Sequence, residues 1–347
     1  MVSNIAFFTK LKSLHSQKIP FIAFRLPNSE ELVCYWGDGQ IINNSLTEKP
    51  GFIMMPFETN KKGYFIGNDK MFSTKLSEGG FSNSLNKTLN QNLNFSAFKE
   101  VYIKDVTEII NTISKSELTK LVYSRSFEFG LSDKNFNSYL KNLLSLYTNA
   151  FCYLFYHPKE NFWMGATPET LLEIQNKKIT TMALAGTKKK EVARWGDKEI
   201  LEQKIVVDEI KKNLIPFCKN IKAESSITVN AGKIDHLKTS ISGKTSSSPS
   251  KIIASIHPTP AVGGVPKEKA LSIIKSIERY DRAFYSGYLG KLSDRNCCLF
   301  VNLRCVHIQK NKGEIFVGGG ITKDSNPEKE WEEIMNKSKT ILDAVFK

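Results

Sequence analysis

The segment ETLLEIQNKKITTMAL, residues 169–184, holds two apolar strand-like runs separated by a short polar turn. A parallel pair needs a long crossover, usually a helix, and there is no room for one here. The two runs therefore read as an antiparallel hairpin. Outward from this segment the pattern repeats. Strand-like runs occur at 119–129, 150–157, 284–292, 297–308 and 314–321, and several lie too close together for βαβ units. Between them, helical apolar spacing marks 96–117 (Val101, Val106, Ile109, Ile110, Ile113), 135–149, 197–214, 266–281 and 327–346, with Asp197 as the expected cap of the third. The fold class is α+β with largely antiparallel sheet. Residues 1–95 are polar and Asn-rich, with short strand-like pieces such as FIAFRL and GYFIG, and SISGKTSSSPSK (240–251) reads as a surface loop.

Bulk properties narrow the function classes. The chain has 347 residues and is 41% hydrophobic, enough for a large buried core. No apolar run is long enough for a membrane span, and the first twenty residues lack the features of a secretion signal. Six cysteines, with no C-x-x-C pair, suggest reduced thiols in a cytoplasmic protein rather than a disulfide or zinc framework. The formal charge of +14 is spread along the chain, without a basic stripe interleaved with aromatics. It is read as a basic surface and no nucleic-acid partner is expected.

Two tempting phosphate motifs fail. SGKT (242–245) lacks the glycine that a P-loop needs five positions before Gly243, where Lys238 stands. The triple glycine 318–320 lacks the last glycine of a dinucleotide fingerprint, because Lys323 occupies its place.

What survives is a set of charged residues. Glu199 and Glu202 share one helix face, as do Glu330 and Glu333 on another. If the two faces met, four carboxylates would suit a hard cation such as Mg²⁺; taken separately, each pair suits a solvated helix surface. Lys120 and Glu169 begin strands, where edge exposure is the ordinary expectation. Arg304 interrupts the apolar run CCLFVNLRCVHI, which calls for either a structural ion pair or a bound anion. Gly318–Gly320 could offer backbone N–H groups to a carboxylate, or simply form a bend.

Taken in order, KLVYSR, GATPETLL, LAGT, DKEILEQ, DHLKTS, HPTPAVGG, ERYDRAFYSGYLG, VNLR, VGGGI and PEKEWEEIMNK make the chain resemble the chorismate-utilising enzymes, from about Leu118 to Lys337. The resemblance implies one chorismate-binding domain over 1–347, with 1–95 a divergent N-terminal portion and 96–347 carrying the catalytic motifs. It implies two large antiparallel sheets packed face to face, helices outside, and an active-site cleft between the sheets.

It also implies roles for particular residues. Glu202 and Glu333 would hold Mg²⁺, with Glu199 and Glu330 close behind. Gly186 and Thr187 would lie near the ring carboxylate of chorismate. Arg304, Tyr285 and the N–H groups of Gly318 and Gly320 would hold the enolpyruvyl carboxylate, and Lys337 would reach the metal and substrate region. Lys120 stands where water-using members carry their general base, Glu169 would be the general acid, and His236 would support the C4 side. Ala185 occupies the place of the nucleophilic lysine of aminodeoxychorismate synthases, so that covalent route is absent.

The loop HPTPAVGG (257–264), with Ala261 where pyruvate-eliminating members tend to carry threonine, resembles the isochorismate synthases. The expected activity is therefore isomerisation of chorismate to isochorismate, with no amidotransferase subunit. The alternatives are a salicylate synthase or a catalytically silent chorismate-binding protein.

Overall fold

A computed structural model describes residues 1–43, 49–76, 95–231, 234–293 and 295–346. The Asn-rich part of the N-terminal portion, 77–94, lies outside the described residues.

The hairpin at 169–184 forms as expected, from strands Thr170–Gln175 and Lys178–Lys189. Every strand pairing among the described residues is antiparallel, and the strands fall into two sheets of nine and ten. In the nine-stranded sheet the order is Gly264–Val265, Lys120–Gly130, Lys312–Ile321, Cys305–Gln309, Asn161–Thr167, Phe151–His157, Phe21–Arg25, Glu31–Trp36, Met71–Lys75. In the other, Cys218–Ala223, Ile234–Thr245, Lys178–Lys189, Thr170–Gln175, Asn296–Val301 and Tyr288–Ser293 are followed by Gly51–Met55, Gly63–Gly67 and Gln40–Ile42, and Ile227–Ala231 pairs beside Ile234–Thr245. The N-terminal portion thus supplies strands to both sheets.

Side-chain alternation assigns the faces. On the strand Phe21–Arg25, Ile22 and Phe24 point into an aromatic core shared with Phe52 and Phe300 of the opposite sheet, while Phe21 and Ala23 point to the helix layer. Phe151 and Phe300 stack across the two sheets at 4.2 Å between ring centroids. Helices Lys99–Ser114, Phe136–Leu146 and Pro327–Phe346 cover the nine-stranded sheet, and Asp197–Leu214 with Pro249–Ile256 cover the other. No helix among the described residues is long and apolar enough to cross a membrane.

Four sequence expectations are corrected. The helix Asp197–Leu214 is preceded by Gly196 at its N-cap, with Asp197 as the first helical residue, where its charge faces the helix N-terminus. Residues 240–245 of the Ser-rich segment belong to the strand Ile234–Thr245, because backbone pairing on both sides outweighs the polar composition. The run 284–292 is a strand only from Tyr288; Ala283 and Ser286 take left-handed φ values of 46° and 60° in a preceding turn, which carries Tyr285. Finally, 297–308 is two strands. Asn296–Val301 lies in one sheet and Cys305–Gln309 in the other, and Arg304 sits at the corner with φ 49°.

Candidate active site

Two corners where the chain changes sheet define the site. Glu169 lies between Asn161–Thr167 and Thr170–Gln175, and Arg304 lies between Asn296–Val301 and Cys305–Gln309. The corners are bonded side by side: Thr167 Oγ1 donates to Val301 O at 2.6 Å, Val301 N to Glu169 O at 3.0 Å, and Ala166 N to Arg304 O at 3.1 Å. Neighbouring elements add Lys120 at the head of its strand, Glu202 from the helix Asp197–Leu214, and Lys337 from Pro327–Phe346.

Lys120 and Glu169, expected at exposed strand ends, are 1% and 2% exposed. The reason is tertiary: both strand ends are roofed by the loop 257–263 and by the helix carrying Glu202. Lys120 Nζ lies 3.0 Å from Glu202 Oε1. The pair sits directly over Gly320, where a Cβ would come within 2.2 Å of Glu202 Oε1 and 2.9 Å of Lys120 Cε. Any larger residue there would push the ends of both side chains aside. Burial raises the Glu169 carboxyl to about 8 against the opposing charges of Lys120 and Lys337, so it is protonated at neutral pH.

Arg304 resolves the choice left open by sequence. Its guanidinium has no carboxylate within 4 Å among the described residues. It donates instead to His236 Nε2 (3.1 Å), Lys337 O (3.4 Å) and Thr340 Oγ1 (3.3 Å). A guanidinium only 9% exposed and without a counter-ion is costly unless an anion arrives. His236 accepts from Arg304, so its proton is on Nδ1, which faces Thr187 Oγ1 at 3.2 Å. Burial, then Arg304 and Lys337, hold this imidazole well below its usual range and therefore neutral.

The N–H groups of Gly318 and Gly320 are available. Val122 N and Ser124 N donate to Gly263 O and Glu278 Oε1, away from the neighbouring strand. Their cross-strand partners are Gly320 and Gly318, so in an antiparallel ladder those glycines also direct their N–H groups outward. Lys337 Nζ bonds Gly318 O at 3.0 Å and Glu333 Oε1 at 2.6 Å. Burial keeps the Tyr285 hydroxyl protonated and able to donate.

The two carboxylate helices meet. Lys198 Nζ bonds Glu330 Oε1 at 2.7 Å and also feels the charges of Glu202 and Glu333. Burial, and then Glu333, push Glu330 up to about 7 against Lys198. Burial also acts to raise Glu333, but Lys337, Lys198 and Arg304 outweigh it and hold its carboxyl below the usual range. Among the described residues no three acidic, histidine or cysteine side chains are set within reach of one ion. The donor types nevertheless suit a hard cation: the charges of Glu202, Glu330 and Glu333 all act on the Lys198 ammonium, and the buried Glu330 Oε2 has no partner.

Other expected residues stand further back. Glu199 is half-exposed with Oε2 over Gly196, apart from the other three carboxylates. Gly186 packs on the Glu199 backbone, and Thr187 contacts the site through His236. Ala185 and Ala261 do line the cleft. The free space is about 60 Å³, room for roughly two waters. Glu202 and Lys337, each held in an ion pair, are among the side chains that line it.

Sequence reasoning missed the Glu278–Arg282 pair, 3% exposed on both sides at 2.6 Å. Arg282 binds Val262 O and Val122 O, each at 2.8 Å, while Glu278 accepts from Ser124. It ties the strand of Lys120 to the loop of Ala261. Its four-residue spacing was the available signal. The loop also needs glycine: a Cβ on Gly264 would lie 2.3 Å from Lys120 O.

Comparisons with known proteins identify the family and the fold. A family model described as chorismate binding enzyme matches residues 72–346. The vibriobactin-specific isochorismate synthase of Vibrio cholerae is 28% identical over 71% of this chain and 66% of its own length. The isochorismate synthase MenF of Haemophilus influenzae is 30% identical over 68% of this chain and 58% of its own. The match thus spans under two thirds of each relative. Among solved structures, DhbC from Bacillus anthracis superposes with a TM-score of 0.80 at 23% identity, covering 97% of this chain and 99% of that one.

Proposed function

The chain belongs to the chorismate-binding enzymes, and within that family we propose that it is an isochorismate synthase, acting without an amidotransferase subunit. The observation that carries the reading is a buried, protonated carboxylic acid, Glu169, lining one cleft with Arg304, which has no carboxylate within 4 Å among the described residues, while the charge of the buried Lys120 acts on that acid. Isochorismate synthases are also among its relatives. Six unbonded cysteines, five of them buried, suit a cytoplasmic setting.

Chorismate carries two carboxylates, which suits a site with an arginine on one side and an acidic cluster on the other. Arg304, Tyr285 and the outward N–H groups of Gly318 and Gly320 would hold the enolpyruvyl carboxylate. Glu202, Glu330 and Glu333 would hold Mg²⁺, which when bound neutralises the acidic cluster and anchors the ring carboxylate. Lys120, parted from Glu202 and having first given its own proton to solvent, accepts a proton from the water whose oxygen bonds to C2. The ring double bonds shift and the C4–O bond breaks. Glu169 gives its proton to the departing hydroxyl, which leaves as water, so one water enters and one departs. His236, neutral and bonded to Arg304, orients the guanidinium rather than moving protons.

The test is incubation with chorismate and Mg²⁺ and chromatographic separation of products. Isochorismate without salicylate or pyruvate, lost on EDTA treatment and in Lys120→Ala, is expected. Salicylate with pyruvate, or binding without turnover, would overturn the assignment.

A further inference from the structure

The loop His257–Gly264 has a cavity on each side. Its later residues Ala261 and Val262 line the cleft, while His257 and Pro258 line a second cavity of about 530 Å³. The walls of this second space are mainly apolar and aromatic: Phe57, Ile253, Leu271, Ile274, Tyr280 and Tyr288. Size and lining are those of a small-molecule site, where a few polar groups fix orientation.

Those polar groups specify the chemistry. Glu58 and Glu278 line the cavity but are held by Lys61 at 2.7 Å and Arg282 at 2.6 Å. Lys267 has no carboxylate within 4 Å among the described residues: its Nζ donates to the carbonyl of His257, and burial lowers its pKa against the more distant charge of Glu268. Lys275 adds a second positive charge at the rim. His257 is 2% exposed and lines the cavity; its Nε2 faces Phe57 O at 3.3 Å and therefore carries the proton. Its Nδ1 is then a buried acceptor, and it has no partner. Burial keeps this ring neutral at physiological pH, with its pKa lowered to about 4. The cavity thus offers aromatic walls and a cation without a bonded carboxylate, and behind its wall at His257 lies a buried acceptor without a donor.

We propose that this cavity is a second ligand site, distinct from the cleft, for a small hydroxylated aromatic monocarboxylate. Its ring lies against Tyr288, Ile253 and Leu271, its carboxylate pairs with Lys267, and its hydroxyl donates to His257 Nδ1, which a small shift of the wall must first uncover. Such a ligand leans on the same loop that walls the cleft.

Binding of 3-hydroxybenzoate to the full chain, measured by calorimetry, tests this independently of any turnover. The expected result is binding that weakens at least tenfold for benzoate and for 3-hydroxybenzamide, and at least tenfold in Lys267→Met. Ala254→Trp, on an exposed helix position lining the cavity, should abolish it in a protein with unchanged melting temperature. Arg304→Met should leave it intact. Loss in Arg304→Met with retention in Ala254→Trp would place the ligand in the cleft and overturn the proposal. So would equal affinity for all three compounds, or no binding to the folded wild-type chain. Failure of the isochorismate reading would show as absent turnover and would leave these affinities unchanged.

Discussion

Lys120 Nζ and Glu202 Oε1 lie 3.0 Å apart in a site where both residues are buried, and the glycine beneath them leaves no room for a methyl group. The pair links the proposed base to a proposed metal ligand. Lys120→Ala should lower kcat by about 10²–10⁴-fold, the usual worth of a general base. It should also strand a buried carboxylate, costing about 3–5 kcal/mol of stability. Thermal unfolding with and without Mg²⁺ checks the second point, since a cation on Glu202 should restore part of the loss.

Gly320→Ala addresses the same contact from below. Its Cβ would press on Glu202 Oε1 from 2.2 Å, so activity should fall sharply. Stability should drop by about 1–3 kcal/mol, as for overpacking elsewhere. Wild-type kcat in this variant would show that the pair is not held in place by the strand.

Glu169 predicts a pH dependence. Its folded pKa of about 8 lies above the ordinary value of 4.5, so the folded state retains a proton that the unfolded chain loses in that window. Stability should therefore fall as pH rises from about 4.5 to about 8 and level off above it. Glu169→Gln should remove that contribution, seen as a flatter melting profile, and should abolish turnover. In the wild type, activity should decline as pH rises through about 8, when the acid loses its proton.

Arg304→Met separates binding from folding. No carboxylate is bonded to this guanidinium among the described residues, so its removal takes a donor from His236 Nε2, Lys337 O and Thr340 Oγ1 and a distant positive charge from Glu333, while the cost of burying an unpaired cation disappears with it. Stability should change by less than about 2 kcal/mol, whereas KM for chorismate should rise at least tenfold. Calorimetric unfolding and steady-state kinetics on one preparation decide it; a large stability loss would make Arg304 structural.

Mg²⁺ should raise the melting temperature of the wild type, because an ion that binds only the folded state adds about 2.7 kcal/mol at a hundredfold excess over its Kd. Glu202→Gln or Glu333→Gln should remove most of the shift. An undiminished shift in both would place the ion elsewhere.

The sequence by itself determined the local elements and the family pattern. The hairpin at 169–184 follows from its apolar runs and short turn, and the helix faces carrying Glu202, Glu330 and Glu333 follow from three- and four-residue spacing. Periodicity is a property of neighbouring residues, and neighbours alone suffice to express it. Other features were illegible for a definite reason. FIAFRL and GYFIG were legible as strands but not as members of different sheets, and the apolar run 297–308 carries no mark that it changes sheet at Arg304.

Only the tertiary structure decided that Lys120 meets Glu202, that Lys198 meets Glu330, and that Arg304 has no carboxylate within 4 Å among the described residues. It also decided that strand-end charges at Lys120 and Glu169 are buried. These are relations between segments far apart along the chain. They are fixed by the packing of two sheets and the helices upon them, and no local spacing encodes them.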